Sequence, residues 1–467
     1  MCRFRVSGRK VGQPFRAAGD TSAGLKACAI AVTMASHIAH PFRAADPMRA
    51  GLAACAIGLL LLASGCSRPE PSLDEEARQF VRLAVALGER DPDSLDFYAG
   101  PAEAVADIRR DPPPLTAIKR DAASLSARIR TRHDPDPVER GRVQTLVRDL
   151  AAITARVDLL TGTRQPFDQE SVAFFGMAPE PIDERRLAAV RSQIADLVGH
   201  GGRLVDRYAA FTSRFTIAAD RLPAVMAAAL DACRGATIAH VALPPGEQAR
   251  LEWVSDKPWS AFSRYLGGAR SVISINTDFR FTIDQALQVA CHEGYPGHHT
   301  RNTLMTSAGD AAGRWPERAV QLTFSPESLR SEASAMLAAD AAFSPAERLH
   351  VERDRLFPIA NLAPAGAAPH LEVERLVGDL QIAQAEVARR YLDGELDFPR
   401  AVAELESRAL VPHAEAQIKY VNEFRSYVTT YTAGRARSMS RFVACAGPGA
   451  TDDIRWRCFK NETAPPR

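Results

Sequence analysis

The sequence has no G-x-S-x-G elbow, no P-loop and no dinucleotide fingerprint. Serine esterase, nucleotide triphosphatase and dehydrogenase chemistry therefore lack the short motifs on which they usually rest. No C-x-x-C pair occurs among the 8 cysteines, which leaves no footing for a thioredoxin-type redox centre or a thiolate zinc site. Charge of one sign is also missing. The 58 basic side chains face 56 acidic ones, a formal net charge of +2 without a long single-sign run, so nothing points to nucleic acid or an acidic membrane surface as the main partner.

What is there is a chain of 467 residues, 46% hydrophobic and 24% charged, enough to bury a large core in one big domain or two closely packed ones. The apolar run Ala50 to Ala63 follows Met48-Arg49 and ends in Leu62-Ala63-Ser64-Gly65-Cys66. At 14 residues it fits the h-region of a signal peptide better than a membrane span, which needs roughly 20. Small residues before a cysteine resemble a bacterial lipobox, so Cys66 is expected to become the lipidated first residue of an exported protein on the periplasmic face of the envelope. Upstream, Pro14 to Ile30 repeats at Pro41 to Ile57 with 12 identities in 17 positions, which reads as a local duplication before a start at Met48. The expected organisation is a disordered extension over 1–47, a lipoprotein signal over 48–66, a helical region over 67–234 and a catalytic region over 235–467 packed on it.

Export makes disulfides admissible. Cys445 and Cys458 flank Gly447-Pro448-Gly449 and could close a small loop.

Between Ser72 and about Arg234, apolar residues recur at spacings of three and four. They do so over Gly141 to Leu160 and Glu184 to Leu204, the mark of amphipathic helices packed on one another. Ser271 to Asn276 alternates with β-branched residues and is the best strand candidate. Thr282-Ile283-Asp284-Gln285 is a capping box that opens a helix, so His292 and Glu293 fall near its C-terminal end. Ser325-Pro326 opens a helix through Glu332 to about Ala342, and Ser344-Pro345 opens the next. The fold class expected is mainly α, with a small sheet beside the site.

His292, His298 and His299 place three of 11 histidines within eight residues, beside Glu293. Zinc takes imidazole nitrogen and carboxylate oxygen, and a catalytic zinc keeps one position open for water. In an H-E-x-x-H helix both histidines share one face, with the glutamate as general base. Here the residue four after His292 is Pro296. Pro296-Gly297 can loop the chain out by two residues, which makes His298 the expected second ligand and His299 its competitor. A His299 that does not bind metal could orient substrate or the oxyanion. Glu332, among small neighbours, is expected as third ligand, with Asp340 as a supporting partner.

These segments resemble the bacterial family called domain of unknown function 885, a zincin-like group with the signature H-E-x-x-P-G-H-H. The resemblance runs from Phe167-Asp168-Gln169-Glu170-Ser171 to the C-terminus. It includes Leu243-Pro244-Pro245-Gly246-Glu247, Lys257-Pro258-Trp259-Ser260, Ser274-Ile275-Asn276-Thr277-Asp278, Cys291 to His299, Phe324-Ser325-Pro326-Glu327-Ser328-Leu329 and Arg425-Ser426-Tyr427-Val428. It implies a mainly helical metallopeptidase fold holding Zn²⁺, with His292, His298 and Glu332 as ligands and Glu293 as base. Ala333 stands where the family usually has glycine. Tyr427 or Tyr431 could stabilise an oxyanion, Arg425 could grip a peptide carboxylate, and Asn276 and Asp278 could line the cleft, where a peptide could add as a strand. The expected function is zinc-dependent peptide hydrolysis. The alternatives are a catalytically silent metal-binding lipoprotein and a zinc hydrolase of non-peptide amides or esters.

Overall fold

Ser72, Asp136, Asp183, Thr282, Ser325 and Ser344 each precede a helix, and each side chain accepts a backbone N–H of the first turn. These caps satisfy donors that a helix leaves unpaired at its start. The computed structural model describes residues 71–257, 259–310 and 315–463. It is mainly α, 67% helical and 8% strand. The expected extension, signal segment and Cys66 lie outside the described residues.

Helices α1 (Leu73–Arg90), α2 (Leu115–Arg130) and α3 (Pro137–Leu160) close a core of Phe80, Ile118, Ile129, Leu146, Leu150 and Ile153. A second and larger core begins at Leu187 and runs to Phe459. Helix α4 (Leu222–Ile238) contributes Val225, Met226 and Ala229 to it, together with Val373 and Leu380 from near the other end of the chain. The first core also takes in Val320 and Leu322 from far along the chain, and Pro71–Arg467 forms one compact unit. The helix expected over Glu184 to Leu204 stops at Leu197. Gly199, Gly201 and Gly202 follow with φ of 91°, 86° and 71°, left-handed positions that no helix continues through.

Two small sheets complete the fold. Strands β1 (Leu95–Tyr98) and β5 (Val320–Leu322) pair antiparallel. Strands β2 (Gln248–Val254), β3 (Ala261–Gly267) and β4 (Arg270–Asn276) lie in the order β2-β4-β3, with β2 parallel and β3 antiparallel to the central strand. The expected strand is β4; its central position buries Ser271 through Asn276 on both faces. Its partners escape a periodicity reading because Trp253, Phe262 and Leu266 face outward.

Helix α5 (Ile283–Val289) starts at the expected capping box. Helix α6 (His298–Asp310) follows it, and α7 (Pro326–Ala335) carries Glu332. Helix α7 ends before Ala342 because Leu337 N–H turns back to Ser334 O at 3.0 Å, an i→i−3 bond that tightens the last turn. The Cys445–Cys458 disulfide forms as expected, and a second joins Cys233 of α4 to Cys291. No described helix is long and apolar enough to cross a membrane.

Candidate metal centre

The stretched motif is resolved by a break. Beyond α5 the chain widens into a π-helical turn over Ala290–Gly294, a form that recurs at functional sites. Tyr295 leaves the helix, the Tyr295–Pro296 bond is cis, and α6 restarts at His298. Gly297 N–H bonds Cys291 O at 3.0 Å. A Cβ on Gly297 would lie 1.8 Å from His292 O, so only glycine lets the returning strand of chain come this close. The turn and restart bring His292 and His298 to face each other.

His292 Nε2 and His298 Nε2 are 3.1 Å apart, and Glu332 Oε2 is 3.3 Å from the first and 3.5 Å from the second. Among the described residues, these three form the one group of His, Cys, Asp or Glu side chains with metal-holding spacing. Tetrahedral zinc with bonds of about 2.0–2.1 Å separates its ligand atoms by about 3.3 Å. Glu332 Oε2 is buried and has no hydrogen-bond partner. An orphaned carboxylate oxygen facing two ring nitrogens is costly without a cation between them, so the donor set fits zinc and leaves one position open. The remaining atoms are braced from outside: Ser331 Oγ lies 3.1 Å from His298 Nδ1, and Tyr427 O–H donates to Glu332 Oε1 at 2.9 Å. Supports of this kind orient metal ligands.

Burial works against charge on every group here. On Glu332 it is outweighed by His298 and His292, which hold the carboxyl well below the usual range. On His298 it is outweighed by Glu332, Glu293 and Asp96, which lift the ring to about 9 without metal. Glu293 is 8% exposed, and its carboxyl is raised by burial and by Glu332 against the pull of His292 and His298. A carboxyl poised upward beside a metal position suits a general base.

Other expected site residues have different tasks. His299 does not join the metal ligands. It is fully buried, its Nε2 is 3.0 Å from Glu247 Oε2 and its Nδ1 is 2.8 Å from Ser271 Oγ, so neither nitrogen is free for substrate. Burial keeps its ring neutral. Glu247 also accepts Tyr295 O–H at 2.7 Å and pairs with Arg234, so this cluster ties the motif to the sheet. Asn276 is buried and donates to the carbonyls of Lys257 and Trp259, both at 3.0 Å; it shapes a loop and does not line the cleft. Asp278 accepts Asp256 N–H at 2.7 Å on the exposed side of that loop. Arg425 pairs with Glu170 at 2.6 Å, which removes it as a grip for substrate carboxylate. The Tyr427 hydroxyl is engaged with Glu332 and Ser328, so it positions a ligand. Tyr431 packs 5.6 Å away, ring to ring, and burial, with Glu332 nearby, keeps its phenol neutral. It remains the oxyanion-donor candidate. Asp340 acts electrostatically on Arg348, outside the metal group.

Sequence reasoning missed Asp96, which comes from β1 to lie within electrostatic reach of His298, Glu332 and Glu293. No local signal marks it. It missed the Cys233–Cys291 pair as well, although four cysteines beyond Cys66 in an exported chain allow three pairings.

No family model and no curated protein matches this chain. Among solved structures, it is similar to a protein of Colwellia psychrerythraea provisionally described as a lipoprotein. That match has a TM-score of 0.42 at 12% identity over 85% of this chain and 77% of the other. It is also similar to one of Shewanella oneidensis provisionally described as a lipoprotein of unknown function, with a TM-score of 0.38 at 11% identity over 85% and 79%.

Proposed function

We propose that this chain is a zinc-dependent hydrolase, with peptides as its substrate class. The observation that carries the reading is the His292, His298 and Glu332 group, whose separations of 3.1, 3.3 and 3.5 Å match tetrahedral zinc and whose Glu332 Oε2 lacks any other partner. When bound there, zinc supplies a Lewis acid and a water of lowered pKa. Glu293 accepts the proton of the attacking water and passes it to the leaving amine. Ser331 and Tyr427 hold two of the ligands in register, and Tyr431 donates to the oxygen that becomes negative. The motif blocks resembling the domain of unknown function 885 family support the same assignment.

The lipobox-like Leu62 to Cys66 supports an exported protein anchored to the membrane through a lipid on Cys66. The two disulfides suit an oxidising compartment.

The test is direct. Metal analysis of the purified protein is expected to find about one zinc per chain, lost in His292→Ala and His298→Ala. Glu293→Gln is expected to keep the metal and lose hydrolysis of a peptide library by about a hundredfold or more. A protein without bound metal sinks the reading. Zinc without cleavage of any peptide favours a binding protein or a hydrolase of other amides and esters.

A further inference from the structure

Asp96 is placed by an irregularity. In the β1–β5 ladder Leu95 pairs with Leu322 and Phe97 with Gln321, so Asp96 is the extra residue of a β-bulge. Bulges re-aim side chains and are over-represented beside active sites. Its neighbours are fixed: Phe97 packs edge-on against Tyr265 of β3, and Leu95 joins the first core. Asp96 Oδ2 accepts Gln321 Nε2 at 2.6 Å, and Gln321 Oε1 accepts Arg301 Nη1 at 3.2 Å. Arg301 follows His298 by three residues on α6, one turn along the same side. This chain of bonds ties Asp96 to α6 one turn beyond His298, within electrostatic reach of His298, Glu332 and Glu293.

The charges there leave Asp96 over. Glu332 faces His292 and His298, and Glu293 is buried within electrostatic reach of both. Arg301 is neutralised by Glu327, which also takes Arg330. Asp96 has no ion-pair partner among the described residues. Its second oxygen makes no hydrogen bond with them, and part of its surface stays exposed. Burial, with Glu332 and Glu293 nearby, raises the Asp96 carboxyl to about 7, and a cation arriving with a substrate would draw it into the ionised form; one arm braced and one arm open suit it to receive such a cation.

We infer that Asp96 binds the ammonium group of a peptide amino terminus, which would make the site an aminopeptidase or dipeptidase centre. The inference rests on the zinc hydrolase reading above and adds to it the end of the chain from which substrates are taken.

The test uses zinc-loaded protein and two ligands with the same metal-binding group, leucine hydroxamate and N-acetyl-leucine hydroxamate. The first carries the ammonium and the second does not. Leucine hydroxamate is expected to bind at least about tenfold more tightly, as a charge-assisted hydrogen bond allows, and Asp96→Asn to bring the two affinities together. Equal binding by the unmodified protein overturns the inference even if Asp96→Asn fails to fold, as does a preference that survives in a folded Asp96→Asn. Zinc content is measured on the same samples. A chain without zinc that binds neither ligand removes the hydrolase reading and this inference with it. One zinc with equal hydroxamate affinities removes the inference alone. Two zinc ions, reduced to one in Asp96→Asn, would make Asp96 a ligand and overturn its role as an amine receptor.

Discussion

Tyr427 and His299 both belong to the C-terminal two thirds of the chain that carries the motif blocks, and both act through a neighbour. The Tyr427 hydroxyl is one of two groups that hold Glu332 and His298 from behind. Tyr427→Phe is therefore expected to weaken zinc binding by about tenfold to a hundredfold, measured by chelator competition, with little change in secondary structure. His299→Ala removes a buried partner of Glu247. It is expected to cost about 2–3 kcal/mol in a denaturant titration, because the carboxylate loses a charge-assisted bond in a buried setting. At this scale the sequence was readable where chemistry demands a residue type. His292 and His298 stood out by their spacing and Glu332 by its small neighbours, and the structure brings these three together, because few side chains can ligate a metal. Asn276, Arg425 and His299 were not readable in this way, since an amide, a guanidinium or an imidazole serves a buried network as readily as a substrate, and only the partner atoms tell which.

The motif works as an element because a helix is interrupted and restarted. Gly297→Ala would set a Cβ against the backbone carbonyls of His292 and Cys291, at 1.8 and 2.5 Å. The expected outcome is loss of stoichiometric zinc together with a lower melting temperature, read by metal analysis and calorimetry on the same sample. The Cys233–Cys291 bond closes a sequence separation of 58 residues, for which chain entropy predicts a stabilisation of about 4 kcal/mol. Paired Cys233→Ser and Cys291→Ser changes are expected to show much of that loss in denaturant. The capping boxes and proline-led helix starts were legible because they depend on residues within one turn. The π-helical turn was not, since its surroundings, α4 and β3, come from other parts of the chain.

For the whole molecule, pH is the informative variable. Burial raises Asp149 to about 8 from an ordinary 3.8. It also raises Glu352 and Glu374, two carboxyls that share a core with Asp284. Each is protonated in both the folded and unfolded chain below about pH 4, and only in the folded chain above it. The folded state then binds more protons than the unfolded one, so stability falls as pH rises. The loss starts near the ordinary carboxylate values and levels off once Asp149 ionises, around pH 8. Thermal melts are expected to decline between pH 5 and 8, and Asp149→Asn to flatten part of that decline. A melting temperature that climbs across this window would contradict the burial of these groups.

The sequence alone determined the helical class, the helix starts and the His-rich segment from which two members of the candidate metal group come, because periodicity, caps and ligand chemistry act over a few residues. Only the tertiary structure decided which of the two adjacent histidines faces Glu332, what His299 holds and why Asp96 lies within electrostatic reach of His298. Those answers depend on packing between segments far apart in the chain, such as a bulge in β1 set beside a turn that begins nearly two hundred residues later, and no local pattern records such a meeting.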